Sequence, residues 1–309
     1  MDNSFDRLYE QLTPALRQLE DKRLELKKRG IQNGLIAGSI CFLIGTGITV
    51  WTGSGHIGIL ISVIIGIIVW ISRVNSQSNV LSGYYKKDII TTLLTSLCED
   101  SAFQPENGIS ETTFMSSGLF STSPDRYHSE DMITGQLGKT SFCCSEVHAQ
   151  EKHVTVDSKG HRHESWVDIF RGFFFIADFQ KDFKGQTVIY RNSWLKLNFS
   201  NQRVKLENPE FEKSFDVYAT DQVEARYLLT PGMMERLLLL DQKFPGKITV
   251  SFYNSNIIIA IPDSTDHFEA SIWRSQLHNN SLKQEYQTLS ALIAIVHDLN
   301  LNLRIWSKE

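Results

Sequence analysis

The chain has 309 residues, 41% hydrophobic and 21% charged, which suits a membrane element plus one soluble domain and excludes a disordered chain. A formal net charge of -4 provides no broad basic surface to neutralise phosphates, so nucleic acid is excluded as the expected partner. Cys41, Cys98, Cys143 and Cys144 form neither a CxxC pair nor a secreted disulfide framework; a reducing compartment is expected, and the polar N-terminal stretch reads as no cleavable signal.

Phe5, Leu8, Leu12, Ala15, Leu19 and Leu26 recur at a 3–4 spacing and predict a cytoplasmic amphipathic helix within residues 1–33. Thr13 and Pro14 read as a helix N-cap and first position, and Lys22 falls on the seam. Both features favour packing on the chain's own domain or on a membrane surface over a coiled coil. Two uncharged apolar runs follow, residues 34–51 and 57–71. Each approaches the roughly 20 residues that cross a bilayer, and together they predict a transmembrane hairpin at about 34–52 and 55–72. Gly34, Gly38, Gly45, Gly47, Gly58 and Gly66 allow the two backbones to approach, while Trp51 and Trp70 are placed as interfacial aromatics at opposite faces. Lys22, Arg23, Lys27, Lys28 and Arg29 precede the pair, Arg73, Lys86 and Lys87 follow it, and the connecting loop has no Lys or Arg. The positive-inside rule then predicts cytoplasmic termini.

Ile89, Ile90, Leu93, Leu94 and Leu97 share one helical face, predicting a stem over residues 73–100. From 101 to 309 the pattern becomes that of a cytoplasmic α+β domain. Strands are expected around 133–147, 154–156, 166–179, 187–190 and 204–206, and a hairpin from 247–253 and 256–262 joined through "NSN". On a strand Cys143 and Cys144 point to opposite faces, one buried and one exposed. Ser281 with Gln284 reads as a capping box opening a closing helix, with Leu282, Tyr286, Leu289, Ile293 and Val296 inward. This order of elements predicts an α+β fold with a mainly antiparallel sheet and packed helices.

Chemistry is sparse. His148, His153, His161 and His163, with Glu146, Asp157 and Glu164, are the best metal candidate, although the same segment reads as an exposed hairpin arm turning at 157–160. Glu130 and Asp131 are adjacent carboxylates, either an acid/base pair or a turn before a strand. Walker A, dinucleotide, HExxH and GxSxG patterns are absent, so the sequence assigns no catalytic residue and no cofactor. In "FDVYATDQVEARYLLTPGMMERLLLL" Asp221 and Glu224 read as a capping box, and Thr230 with Pro231 as the start of a second helix. Val223, Leu228, Met233, Leu237 and Leu240 are expected to face the core, with Glu224 or Arg226 pairing across the domain.

The string "VKLENPEFEKSFDVYATDQVEARYLLTPGMMERLL", with "SGLF", Tyr127, "EDMITG", "SEV", "FRGFFFIADFQKDFKG" and "LNLNLRIW", resembles the bacterial membrane-protein family known as domain of unknown function 3137. The resemblance implies paired N-terminal membrane helices and carries over no activity, cofactor or catalytic residue. Similar members are often encoded beside small membrane-anchored proteins of the LemA type, which implies a membrane complex; the histidine arm is not part of the resemblance. The resulting expectation is a membrane-anchored scaffold or adaptor at the bacterial inner membrane, held by the bilayer and bound to a protein partner. The alternatives are a ligand-sensing or lipid-binding module, loosely pleckstrin-homology-like, and an enzyme.

Overall fold

Helix α1 (Asp2–Thr52) runs unbroken through the segments expected to be an amphipathic helix and a membrane helix. It belongs to a computed structural model that describes residues 2–53, 55–179, 181–191, 202–277 and 279–301. The end of the string "LNLNLRIW" therefore lies outside the described residues. One unit of the chain comprises Met1–Leu93 with His267–Tyr286, and a second comprises Leu94–Asp266 with Gln287–Glu309.

In the first unit, the buried stripe of α1 is Phe5, Leu8, Leu12, Leu16, Leu19, Arg23 and Leu26. Leu16 thus replaces Ala15 on the inner face, and Arg23 rather than Lys22 lies on the seam. Thr13 and Pro14 do not start a helix; they sit inside one, and Thr13 Oγ1 donates to the Tyr9 carbonyl at 2.8 Å. A proline in a helix interior costs about 3 kcal/mol. Burying a leucine returns about 1.5–3 kcal/mol, so the six apolar side chains of the stripe outweigh the break.

Helix α2 (Gly55–Tyr85) continues through a π-helical turn (Lys86–Ile90) into α3 (Thr91–Leu97). Ile89, Ile90, Leu93 and Leu94 are buried as the spacing predicts, while Leu97 is only half-buried beside buried Cys98. The two long helices meet at small residues. A Cβ added to Gly38 would stand 3.1 Å from the Gly66 carbonyl oxygen, and one added to Gly66 would stand 3.2 Å from that of Gly38. Gly34 lies against the Trp70 ring and Gly45 against the Ser62 side chain, whereas Gly47 faces open space. Leu43, Ile44, Ile64 and Ile68 point outward, and both helices are long and apolar enough to cross a membrane.

The second unit is built on one sheet of nine described strands, in the order β1-β2-β3-β4-β9-β8-β5-β7-β6. These are β1 (Ser101–Gln104), β2 (Arg126–Leu137), β3 (Thr140–Val156), β4 (Arg162–Asp178), β5 (Thr187–Arg191), β6 (Gln202–Val204), β7 (Phe215–Ala219), β8 (Thr249–Tyr253) and β9 (Asn256–Pro262). All neighbouring pairs are antiparallel, as expected. The single strand expected over 133–147 is two strands: Leu137 pairs with Thr140 around a two-residue turn whose Gly138 has φ +61°. The predicted 247–262 hairpin turns at Asn254 and Ser255, both left-handed at φ 49° and 65°, the type I′ geometry that matches strand twist.

Phe174, with Phe114, Phe170, Val147, Ala149 and Ile258, fills one side of the sheet under α4 (Glu111–Ser116). Phe175, Ile257, Ile259 and Val250 are buried on the other side, so the central strands read as near-continuous apolar runs. Cys144 is buried and Cys143 half-buried, and burial raises both thiol pKa values.

The remaining helices are α5 (Pro209–Ser214), α6 (Gln222–Leu228), α7 (Pro231–Lys243) and α8 (Asn279–Asp298). Asp221 caps α6, its Oδ1 accepting from Val223 N at 2.8 Å and Glu224 N at 3.1 Å. Thr230 caps α7 through Met233 N at 3.3 Å. The Glu224 carboxylate, however, crosses to the Lys184 and Gly185 amides, at 3.0 and 2.9 Å. Val223 is 77% exposed, because Ala225, Leu228 and Leu229 set the inner phase of α6. α8 begins at Asn279, two residues before Ser281, so Ser281 is a helix residue and not a cap.

Candidate functional site

β2, β3 and β4 carry an alternation of polar residues on the face opposite the phenylalanine core. His128 stands directly across from His148, and Glu130 from Glu146, in the β2–β3 register; His148 in turn pairs with Arg171 on β4. These side chains, with Asp266 beyond β9, line a cleft of about 190 Å³. His128 Nε2 lies 3.2 Å from Glu130 Oε1, and His148 Nε2 lies 2.8 Å from Asp168 Oδ1, which also accepts from Gln150 Nε2 at 2.8 Å. The hydrogen bond from His148, then that from Gln150, holds the Asp168 carboxyl below its ordinary pKa.

A β-bulge between Glu130 and Ile133 puts Asp131 at φ 57° and turns its amide, and that of Met132, toward the carbonyls of Pro105 and Asn107. The bulge also brings the Glu130 and Asp131 carboxylates within 4.8 Å of each other, with Asp131 buried. The adjacent carboxylates singled out in the sequence are thus close in space on a strand, not on a turn. On the inner face Tyr127 OH donates to the Ile109 carbonyl at 2.7 Å, and burial raises its pKa to about 12.

The four histidines do not converge. His148 sits in the cleft, and His153 lies against Glu151 at 2.7 Å. His161 and His163 share Asp157, at 3.0 and 3.4 Å, at the tip of the β3–β4 arm. At about 3.3 Å per residue, the five residues from His148 to His153 already span about 16 Å. One ion therefore cannot reach both the cleft and the tip. Asp157 also accepts from the Lys159 and His161 amides at 2.8 and 2.9 Å, and these bonds, that of His161 first, keep its carboxyl below the ordinary value. His128, Arg171 and Asp266 line the cleft without having been singled out by sequence, and Asp168, outside that lining, holds His148. For His128 the signal was the period-2 run of polar side chains in "YHSE", which marks one strand face as "SEVHAQ" does on the next strand, whereas Arg171 and Asp266 have no such local signal.

Beyond the cleft the arm stands as a two-stranded ribbon. β2 pairs with β3 only as far as Gln150, and β9 pairs with β4 only from Gly172. Past those points the arm residues are mostly exposed on both faces, with Val154, Val156 and Val167 open to solvent. Trp166 is flanked by Arg126, 3.4 Å from its ring centre, and by Lys152 at 6.0 Å.

The first unit carries a separate polar cavity of about 580 Å³, lined by Tyr85, Glu269, Arg274, Gln276, Gln284 and Glu285 among others. Lys86 is buried and paired with Glu269 at 2.5 Å, and His267 Nδ1 lies 3.3 Å from Glu285. Burial, reinforced by the Glu285 charge, pushes the Tyr85 phenol far above its ordinary pKa.

None of the curated proteins matches the chain. The crystal structure of the mycobacterial trehalose monomycolate transport factor A, TtfA, is similar at 8% identity and a TM-score of 0.31, over 67% of this chain and 95% of that one, a likeness that carries no argument. Residues 168–301, which hold the sheet centre and the helices after it, match the family described as Protein of unknown function (DUF3137).

Proposed function

We propose that the chain is a scaffold of the bacterial inner membrane. Its two apolar helices cross the bilayer with both termini in the cytoplasm, and the β3–β4 arm receives a protein partner. The observation that carries the partner is the arm itself. An isolated two-stranded ribbon is marginal in water. This one nevertheless extends past both neighbouring strands with three exposed valines and a β4 edge that no described strand pairs. Such an edge suits strand addition, in which main-chain bonds supply affinity and alternate side chains supply choice. Membrane anchoring supports the reading, because confinement at one surface raises the effective concentration of partner and scaffold. The basic residues Lys27, Lys28, Arg29 and Arg73 at the inner ends of the apolar stretches support the orientation. A LemA-type membrane protein is the first partner to test, on the strength of the family resemblance.

The test is site-specific photo-crosslinking in native membranes from Val154, Val156 and Arg162, with Val223 on α6 as the distant control. One protein adduct shared by the three arm positions and missing at Val223 is the expected result. Adducts of equal yield at Val223, or none at the arm, would overturn the adaptor reading.

A further inference from the structure

We propose that the loop at 271–277, with the basic residues beside it on the long helices, is a membrane-surface contact that takes anionic lipid headgroups. The proposal rests on the membrane reading above and assigns a second, peripheral contact to the same unit.

The loop is clamped to α1 from end to end. Ile272 is fully buried, and its carbonyl accepts from Arg23 Nη1 at 2.7 Å, while Glu20 holds the same guanidinium at 2.6 and 2.9 Å. Ser275 Oγ donates to Glu20 at 3.0 Å, and Tyr9 OH donates to the Leu277 carbonyl at 2.8 Å. On α2, Ser82 Oγ donates to the Ala270 carbonyl at 2.9 Å and accepts from the Ala270 amide at 3.0 Å. The partners on α1 fall from Arg23 to Glu20 to Tyr9 as the loop advances, so it runs antiparallel to α1 with its 272–273 end nearest the apolar stretch.

At that end stands Trp273, 50% exposed although its neighbour is buried, with Lys27 Nζ 5.2 Å from its ring centre. An amphipathic indole held open beside a lysine suits the interfacial layer of a membrane. Seven residues separate Lys27 from Gly34, about 10 Å along a helix. The polar layer of a bilayer is roughly 5–8 Å deep on each side, so Lys27 stands just beyond it, within reach of its long side chain.

Cations prevail there. No Asp or Glu occurs between residues 26 and 87, whereas Lys27, Lys28, Arg29 and Arg73 do. Arg274 adds a further exposed cation beside Trp273, and of this group Arg29 is paired, with Glu25 at 2.5 Å. Cations flanking an amphipathic ring match an anionic interface.

The experiment uses the full chain with benzoylphenylalanine in place of Trp273 or, separately, of Leu43. Each is reconstituted in vesicles of phosphatidylcholine alone or of equal parts phosphatidylcholine and phosphatidylglycerol, then illuminated and weighed by mass spectrometry. A lipid adduct at 273, about fivefold stronger with phosphatidylglycerol and weakened when Lys27→Gln and Lys28→Gln are combined, is expected. A lipid adduct at Leu43 with none at 273, or one indifferent to phosphatidylglycerol, overturns this proposal and leaves the membrane reading standing. A dimer adduct at 273 also overturns it, since the occupant would be a second copy. No lipid adduct at Leu43 removes the membrane reading, and this proposal with it.

Discussion

β3 and β4 are each 17 residues long, and each changes character along its length. Phe142, Cys144, Val147 and Ala149 on β3 and Phe170 and Phe173–Phe175 on β4 are buried, while Lys152, Val154, Val156, Arg162 and Glu164 on the same two strands are exposed. The backbone ladder between them continues through both halves, with one irregularity at Ala149–Gln150. Their neighbours differ. β2 and β9 flank the inner half and stop at the outer one. A strand's pairing and its burial are therefore separate properties, and the arm keeps the first without the second.

Substitutions should expose that difference most strongly in the phenylalanine core. Phe174→Ala leaves a cavity among Phe114, Phe170 and Ile258 and should cost about 3–5 kcal/mol in denaturant unfolding of the detergent-solubilised chain. Val156→Ser, 63% exposed, should stay within about 0.5 kcal/mol. Equal losses at the two sites would mean that the arm is packed on something and is not a ribbon.

The hinge comes next. Gly172 has φ +144°, and a Cβ there would stand 2.2 Å from the Ile261 carbonyl oxygen and 2.5 Å from the Asp263 amide. Both contacts are backbone, so Gly172→Ala combines a strained conformation with a clash that no side chain can relieve. A loss on the order of 3 kcal/mol is expected, together with faster proteolysis of the arm. An unchanged midpoint would show that β4 leaves the sheet without needing a glycine.

Smaller again is the α6 cap. Asp221→Ala removes the acceptor for the Val223 and Glu224 amides and should lower stability by about 1 kcal/mol, without altering the arm. Asp221→Asn should recover most of it.

The caps were legible because their signal is local: Asp221 and Thr230 each meet amides two or three residues ahead. So was the 249–262 hairpin, whose turn residues accept φ above zero. The start of α1 was not, because Thr13–Pro14 is a helix opening by local rules and only the buried stripe on either side carries the helix through it. The cleft was half legible. His148 and Glu130 drew notice as residue types, but their meeting depends on the β2–β3 register, which the Gly138 turn sets and which a single apolar run over 133–147 concealed. β1, β7, α4 and α5 are short elements of four to six residues, and neither period can build up over that length.

The smallest expected effect is also the one that separates arm from sheet by chemistry. Asp168 and Asp157 both have folded-state pKa values below the ordinary one, the first through His148 and Gln150, the second through the His161 and Lys159 amides and the two imidazoles. A depressed carboxyl contributes stability that is present above its unfolded value, about pH 4, and is lost as pH falls through the folded value. Both groups are largely solvated, so screening keeps the contribution small and confines it to the arm. The ladder of Phe174–Ala177 with Phe142–Ser145 contains no carboxylate and should not respond. A nitroxide on Val156→Cys should therefore show mobility that rises as pH falls below about pH 4. The Asp168→Asn variant should start more mobile and respond less. If the label stays immobile well below pH 4 in the parent chain, ionised carboxylates do not order the arm, and its shape must come from the strand ladder alone.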